Sequence, residues 1–477
     1  MNASDRTTQA DRMAPQTVRA LFVTPTWMAT GETAAALVLA DSIVAGGGQA
    51  WFLASTPAAQ IVRPKYGDRV QEMTADLASN QHHWRRMIEE VDPNVIVFSE
   101  LRSILALRMN RQFPLADLSW LRGLNEIDAL LVALDHVGST PSVQKVMGRL
   151  SGHAFFRLIS NAWRPIFERM VILLPCPLHE PGKVEGRQGH PYRSMAMPAR
   201  LDPAVRAQVR ARYLGEDHAE DGRLIFHSVP RWSYRLAKAL KAPLYEHLSE
   251  IVAEYVADVE APVALVSVND GTLLRRSTSK ALKVVNLAGL PLAEFDALVL
   301  SSDLVLTENI VSLTLAKTVG NAPGVAFVNS STLKEILARE PEGSEIRRLA
   351  LQIERSRAGS VYPHVMYPIK QQDKAGPAAP SPRRMLFNAA APSVPMPEEM
   401  IRAGSLPSSP FIRAELYGGQ ATRDLFRELL TDPVRMARVR AEDDAFIARQ
   451  NALEDGSDVL KRLLSGRTVG DTVIAHG

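Results

Sequence analysis

Three ionisable side chains stand in loops that follow apolar runs, where they could take a proton from a hydroxyl group. Glu32 is the only carboxylate in the loop 24–33, and Asp135 and His136 directly follow the apolar run 129–134. An imidazole titrates near neutral pH, so His136 beside a carboxylate is suited to general-base catalysis. Adjacent side chains at a strand end point to opposite faces, so one of this pair can be purely structural. Glu32 has an ordinary alternative role, in which its charge complements the dipole of the following helix.

Two further segments carry groups that bind phosphate. One follows an apolar run at 223–227, and the other surrounds the start of a helix after the run 304–307. Their candidate donors are Ser228, Arg231, Asn309, Ser312 and Thr314. Arginine and hydroxyl groups donate to phosphate oxygens, and a helix N-terminus adds unpaired N–H groups. The alternatives are a bend set by Pro230 and ordinary N-capping by Asn309 or Ser312.

The loop 24–33 also has the composition of a binding loop. It joins a predicted strand to a predicted helix, so its backbone N–H groups are unpaired at the end of the strand. Thr30, Gly31 and Thr33 form its last part. Glycine permits close approach of a ligand, and Thr33 can cap the helix. We expect these residues to contact the second substrate.

Several other kinds of site find no support in the sequence. The eleven histidines show no spacing typical of metal ligands, and no phosphate-binding Walker motif, GxSxG nucleophile motif or GxGxxG dinucleotide motif is present. We therefore expect no metal. The single cysteine, Cys176, lies in an apolar run and is expected to be buried.

These loops are positioned by two series of alternating strands and helices. In the first series, apolar runs of strand length stand at 19–24, 50–54, 94–98, 129–134 and 170–174. In the second series they stand at 223–227, 263–267, 282–286, 304–307 and 325–329. Helices are predicted between the runs, among them 73–91 and 236–259. Continuously apolar strands imply parallel sheets with helices on both faces. The pattern predicts an α/β protein with two facing Rossmann-like domains, whose ligands bind at the carboxyl ends of the strands.

The predicted organisation has four parts. Residues 1–17 form a disordered lead-in, 18–200 a first Rossmann-like domain on the acceptor side, 201–440 a second that binds the donor, and 441–477 a C-terminal helix and tail. Within this plan, 177–222 is predicted to connect the domains, with a short helix near 203–213.

The charge and the lengths of the apolar runs indicate which partners and which cellular location to expect. A formal net charge of +3, from 55 basic and 52 acidic residues, does not favour a nucleic-acid partner. The N-terminus has no apolar signal segment, and no apolar run approaches the roughly 20 residues of a membrane helix. We expect a cytoplasmic protein without integral membrane association. The oligomeric state stays open, with a homodimer as one option.

The segment Ser302 to Lys317 resembles the donor-binding stretch of GT-B nucleotide-sugar glycosyltransferases. Ser312, Leu313 and Thr314 match the helix start of that stretch, and 320–324 matches its Gly-x-Pro turn. The chain is also similar to bacterial glycosyltransferase-like proteins found near natural-product genes, which have segments like 411–417. It departs from the family pattern at Val311, which replaces a glycine, at Lys317, which replaces the acid that holds the ribose, and in the loop 25–33.

This resemblance implies a GT-B fold with a C-terminal helical segment, and metal-independent transfer of a sugar from a nucleotide diphosphate, such as a UDP-sugar. The nucleotide sugar is then a co-substrate, no other cofactor is needed, and a small-molecule acceptor supplies a hydroxyl or amine. Ser228, Arg231, Asn309, Ser312 and Thr314 would hold the donor. Glu32, Asp135 and His136 are the candidate bases. The alternatives are an enzyme like the nucleotide-sugar 2-epimerases and a non-catalytic GT-B binding protein.

Overall fold

The structure is a computed structural model, and the chain divides into two compact units. One unit comprises Met1–Ala196 and Gln450–Gly477, and the other comprises Met197–Arg449. The residues that the structure describes are 17–25, 31–74, 76–99, 123–124, 126–134, 169–174, 182–184, 187–194, 201–229, 234, 243–269, 274–275, 282–309, 317–329, 331–358, 385–386, 396–397 and 411–474.

A mainly parallel sheet is the centre of the first unit. In the described part of the chain its strands are β1 (Arg19–Thr24), β2 (Gln49–Ala54), β3 (Val70–Glu72), β4 (Val95–Phe98), β5 (Leu130–Leu134), β6 (Val171–Leu174), β7 (Gly182–Val184) and β8 (Arg187–Pro191). Their order is β3-β2-β1-β4-β5-β6-β8-β7, and β7 pairs antiparallel with β8. β4 and β5 are buried along their whole length, as expected of strands covered on both faces.

Helices α1 (Gly31–Ala45), α2 (Thr56–Tyr66) and α3 (Leu77–Val91) belong to the same unit. Phe22 of β1 stacks on Phe52 of β2 with ring centroids 4.9 Å apart, and Tyr66 of α2 packs edge-on against Phe52. The side chain of Asp76 accepts the backbone N–H groups at the start of α3. Asp76 is therefore the N-cap of α3, a position that aspartate often occupies.

The second unit contains another parallel sheet. Its strands in the described residues are β9 (Arg223–Ser228), β10 (Val263–Val268), β11 (Leu282–Leu287), β12 (Leu304–Thr307) and β13 (Gly324–Val328), followed by a separate antiparallel pair, β14 (Met385–Leu386) with β15 (Met396–Pro397), and by β16 (Phe411–Glu415). The sheet order is β11-β10-β9-β12-β13-β16, and all neighbours pair parallel. The chain reverses its direction of winding between β9 and β12, which makes this position the topological switch point.

The helices of the second unit surround this sheet. Those described are α4 (Pro203–Leu214), α5 (Leu244–Tyr255), α6 (Leu292–Ser301), α7 (Leu333–Arg339), α8 (Glu345–Ala358), α9 (Gly419–Thr431) and α10 (Pro433–Ala452). Tyr255, Phe327 and Phe426 pack together in the core, with ring centroids between 5.6 and 6.2 Å apart. The hydroxyl of Tyr255 donates to the carbonyl of Leu416 at 2.6 Å, so this buried polar group has a partner.

The last helix, α11 (Gly456–Ile474), belongs to the first unit. Its buried residues Val459, Leu460 and Leu464 join the core formed by α1 and β1. Ser42 of α1 donates to Asp455, and the backbone N–H of Ser457 donates to the Ser42 hydroxyl at 2.9 Å. The last described helix therefore packs on the core of the first unit.

The predicted α/β class, with two Rossmann-like halves and a C-terminal helical segment, is confirmed. Three local predictions were wrong. The connection predicted at 177–222 includes β7 and β8, which extend the first sheet. The helix predicted from residue 73 begins at Leu77 because Asp76 caps it. The helix predicted over 236–259 is described over Leu244–Tyr255, where Val256 ends it; residues 235–242 lie outside the described residues.

Besides β7 and β8, the strands β3, β14, β15 and β16 were not predicted. β3 has three residues and β16 is an edge strand, so neither shows a long apolar run. Within the described residues, no helix is both long and apolar enough to cross a membrane.

Candidate functional site

Two of the residues predicted to bind the donor lie at the switch point of the second sheet. Ser228 is the last residue of β9, and Asn309 lies two residues beyond the end of β12. The Thr307 hydroxyl donates to the carbonyl of Ser228 at 3.1 Å and accepts the N–H of Asn309 at 3.2 Å. A single hydroxyl therefore holds both strand ends at one place on the carboxyl edge. Ligands of open α/β sheets bind at such a position.

A buried polar network lies at the same switch point. His227 Nε2 is 3.1 Å from a carboxylate oxygen of Glu308, and His227 Nδ1 is 3.0 Å from the Ser267 hydroxyl. Tyr245 of α5 donates to the second carboxylate oxygen of Glu308. His227 and Glu308 are 0% and 1% exposed, so these hydrogen bonds replace the water that both groups lose on burial.

The His227–Glu308 pair was not among the site residues predicted from the sequence. Both residues follow or end apolar runs in the sequence, but 81 positions separate them. The signal that could have found them is the strand order, because β9 and β12 are neighbours only when the winding reverses between them. Their contact therefore required the topology as well as the strand positions.

The other predicted donor residues cannot be placed at this edge. Arg231, Ser312 and Thr314 lie outside the described residues. Ser228 is partly exposed and Asn309 is 9% exposed, so of these two Ser228 is the more open to a ligand.

In the first unit, the structure places three of the predicted residues at the start of α1. Gly31 is the first residue of this helix, Glu32 lies in its first turn, and Thr33 follows. Thr33 is fully buried, and its hydroxyl has no hydrogen-bond partner within the described residues. The position of Glu32 suits a charge that stabilises the helix N-terminus. Thr30, Asp135 and His136 lie outside the described residues.

The turn that precedes β13 has a defined structure. Gly320 has φ +80°, a left-handed conformation that favours glycine, and β13 begins at Gly324, one residue before the start of the predicted strand 325–329. Lys317, which stands where the family has an acid, donates to Asp296 of α6 at 2.5 Å and lies 5.9 Å from the ring centroid of Phe295. Lys317 is thus held by α6.

Asp443 of α10 fixes the same turn by accepting the backbone N–H of Gly320 at 2.8 Å. Burial raises the pKa of Asp443 from 3.8 to about 6, while the Gly320 N–H opposes the rise and the nearby Asp444 and Glu442 add to it. The folded state therefore binds this proton more tightly than the unfolded state, so stability falls as pH rises from about 4 to 6 and stays lower above that range.

We expect Asp443→Asn to remove this dependence because the amide carries no charge and can still accept from Gly320. The free energy of unfolding should rise by about 1–3 kcal/mol at pH 8 and by little at pH 4. Urea denaturation at both pH values measures the change. Asp444→Asn, at an exposed neighbour, is the matched control. An equal effect of Asp443→Asn at both pH values would contradict the assignment.

Among the described residues, no group of three or more His, Cys, Asp or Glu side chains is arranged to hold a metal ion. The polar groups gathered at the switch point are hydroxyls, amides and one carboxylate–imidazole pair. Of these groups, Ser228 is partly exposed, and its hydroxyl can both donate to and accept from a ligand.

Comparison with known proteins gives a family and a set of similar folds. The model of a family of unknown function, DUF6365, matches residues 39–377. No curated protein matches the sequence.

The solved structures that the chain matches include the spinosyn rhamnosyltransferase SpnG complexed with spinosyn aglycone, with 12% identity over 93% of this chain and 99% of that chain and a TM-score of 0.45. They include the glycosyltransferase SnogD from Streptomyces nogalater, with 15% identity, 94% and 99% coverage and a TM-score of 0.43. They also include the glycosyltransferase VinC in complex with DTDP, with 10% identity, 94% and 100% coverage and a TM-score of 0.46.

Proposed function

We propose that this chain, which belongs to DUF6365, a family of unknown function, is a glycosyltransferase. It moves a sugar from a nucleotide-diphosphate donor to a hydroxyl or amine of a small molecule, such as a natural product. The reaction needs no metal in this proposal, and the nucleotide sugar is a co-substrate. In this proposal the second unit binds the donor and the first unit binds the acceptor.

One observation carries the proposal. The Thr307 hydroxyl joins the carbonyl of Ser228 to the N–H of Asn309 at the switch point of the second sheet. Both residues were singled out in the sequence as phosphate donors, and the family resemblance of 302–317 assigns the donor to the same segment. Ser228 and Asn309 therefore lie where open α/β sheets bind their ligands.

The chemistry follows from where charge develops during transfer. The leaving diphosphate gains negative charge, which Ser228, Asn309 and the sequence-assigned Arg231, Ser312 and Thr314 would stabilise by donating hydrogen bonds. A base must take the proton of the acceptor hydroxyl. Glu32, Asp135 and His136 are the candidates for this role, and Thr30, Gly31 and Thr33 would contact the acceptor.

The first test is thermal stabilisation of the full chain by UDP, dTDP, GDP and their sugar derivatives, with and without magnesium. A ligand that binds only the folded state at a hundred times its Kd stabilises it by about 2.7 kcal/mol. We expect one nucleotide series to raise the Tm without magnesium. No shift with any nucleotide at millimolar concentration would overturn the proposal.

Variants then locate the site. We expect Ser228→Ala and Asn309→Ala each to weaken binding by about tenfold, because each would remove a donor to a charged oxygen. Ser302→Ala is the matched control, since this buried serine precedes β12 at the opposite edge and donates to Leu298 at 2.8 Å. Equal losses in all three variants would argue against a site at the switch point.

Turnover separates the remaining alternatives. A glycosyltransferase releases nucleotide and forms a glycoside only when an acceptor is present. An enzyme like the 2-epimerases would release nucleotide without an acceptor. A non-catalytic binding protein would bind the nucleotide sugar and release nothing.

A further inference from the structure

The buried network at the switch point lies on the opposite face of the second sheet from Ser228. Successive side chains of a strand point to opposite faces. Ile225 of β9 belongs to the apolar core that includes α5, so His227, two residues further along, faces α5 as well. Phe226 packs edge-on against Phe295 of α6, with ring centroids 5.3 Å apart, so Ser228 lies on the α6 side. The network therefore stands behind the residue that is proposed to bind the donor.

The side chain of Glu308 is held at both of its carboxyl oxygens. One oxygen lies 3.1 Å from His227 Nε2, and the other accepts from the hydroxyl of Tyr245, the second residue of α5. Glu308 is 1% exposed and Tyr245 is 3% exposed, so water does not compete for these contacts. Because hydrogen bonds weaken steeply when their geometry is lost, two of them from different elements fix the direction of the Glu308 side chain.

Glu308 also stands between the two residues that tie the end of β12 to β9. Thr307 before it donates to the carbonyl of Ser228 at 3.1 Å, and the N–H of Asn309 after it donates to the Thr307 hydroxyl at 3.2 Å. The planar peptide bond leaves two soft dihedral angles per residue, so a fixed Glu308 side chain restricts the position of the next residue. The contacts of Glu308 therefore help to set where Asn309 stands relative to Ser228.

We infer that Tyr245 is a positioning residue for the donor site, whose hydroxyl sets the position of Asn309 through Glu308 without contacting the ligand. The inference rests on the proposed function, which brings a nucleoside diphosphate to Ser228 and Asn309. The ring of Tyr245 has a separate neighbour in Tyr234, which packs edge-on against it with centroids 6.0 Å apart. Removal of the hydroxyl alone therefore breaks the contact with Glu308 and leaves the packing of the ring in place.

Tyr245→Phe tests the inference. Calorimetric titration of the full chain with UDP, dTDP and GDP, at a temperature well below the Tm, gives the dissociation constants. We expect the variant to bind the diphosphate that the wild type binds about three- to tenfold more weakly, because a displaced Asn309 loses part of a hydrogen bond to a charged oxygen. An unchanged dissociation constant would overturn the inference and leave the proposed function intact.

Tyr255→Phe is the matched control. Tyr255 lies on the same helix, is 0% exposed, and donates from its hydroxyl to the carbonyl of Leu416 at 2.6 Å. Leu416 follows β16, which is separated from β12 by β13. The control thus loses a buried hydrogen bond away from the switch point, and it should bind the diphosphate like the wild type. Equal weakening in both variants would assign the effect to α5 as a whole and overturn the inference.

A second substitution separates positioning from direct contact. If Tyr245 acts through Asn309, then adding Tyr245→Phe to Asn309→Ala should weaken binding by less than about twofold further, because the two effects are not independent. The full loss in the Asn309→Ala background would show that Tyr245 acts on the ligand by another route, which contradicts the inference.

Glu308→Asp breaks the same contact from its other end. The side chain is one methylene shorter and cannot reach both His227 and Tyr245, so it should reproduce the loss seen with Tyr245→Phe, and again only when Asn309 is present. Urea denaturation shows that each variant is folded under the conditions of the titration. Wild-type affinity in folded Glu308→Asp would overturn the inference. If the wild type binds none of the three diphosphates, the proposed function falls and this inference falls with it.

Discussion

Arg210→Met is expected to lower the free energy of unfolding of the second unit by about 3–5 kcal/mol. Arg210 is 6% exposed, and its guanidinium donates to the carboxylate of Asp303 at 2.7 Å. It also donates to the carbonyls of Ala219, Gly222 and Ser301 at 2.7, 2.7 and 3.3 Å. Methionine retains most of the aliphatic volume but leaves these acceptors without their donor.

The effect is large because Arg210 joins several parts of the unit at the amino edge of its sheet. Asp303 also accepts the backbone N–H of Leu224 at 2.8 Å, so the ion pair supports the first residues of β9 and β12 together. A buried acceptor that loses its partner bears the full penalty of desolvation. Urea denaturation, followed by a probe of the second unit, measures the change.

Arg206→Met is the matched control for this prediction. Arg206 lies on the same helix and reaches the same carboxylate at 3.7 Å, but its side chain is 45% exposed. An exposed pair of this kind contributes about 0–1 kcal/mol. Similar losses in the two variants would show that the buried guanidinium is not the main stabilising group. Since Arg210 is at the edge opposite Ser228, nucleotide affinity should be unchanged in folded Arg210→Met protein.

His227→Leu is expected to lower the free energy of unfolding by a similar amount, about 3–5 kcal/mol. It leaves the Glu308 carboxylate, 1% exposed, with the hydroxyl of Tyr245 as its remaining donor among the described residues. A buried carboxyl group that loses its hydrogen-bond partner bears the cost of its desolvation. Glu308→Gln made together with His227→Leu replaces this carboxyl group by an uncharged amide, and part of the lost stability should return.

A double-mutant cycle measures this interaction. We expect a coupling energy of about 2 kcal/mol or more between His227 and Glu308. The exposed pair Arg438–Glu442 on α10, 3.2 Å apart, is the control and should give about 0.3–0.5 kcal/mol. Additive losses for His227 and Glu308 would mean that the contact contributes no specific stabilisation.

Much of the fold could be predicted from local patterns. The apolar run 19–24 is β1 and 304–307 is β12, because a strand covered on both faces must be apolar at nearly every position. The short β3 and the hairpin β7–β8 lack such runs, and their place in the sheet depends on pairing with the neighbouring strands β2 and β6. The start of α3 was misplaced because apolar spacing does not reveal which residue caps a helix, whereas the Asp76 carboxylate decides it through hydrogen bonds.

The candidate site, like the fold, could be predicted from the sequence only in part. The sequence by itself determined that Ser228 and Asn309 stand at strand ends, because strand ends are visible as the ends of apolar runs. Only the tertiary structure decided that β9 lies beside β12 and that His227 contacts Glu308, 81 residues away. It also decided that α11 returns to the first unit, where Asp455 contacts Ser42. Burial of apolar surface is non-directional and can be satisfied by many neighbours. The choice among them depends on chain connection and on directional hydrogen bonds, which exist only once the strands are in place.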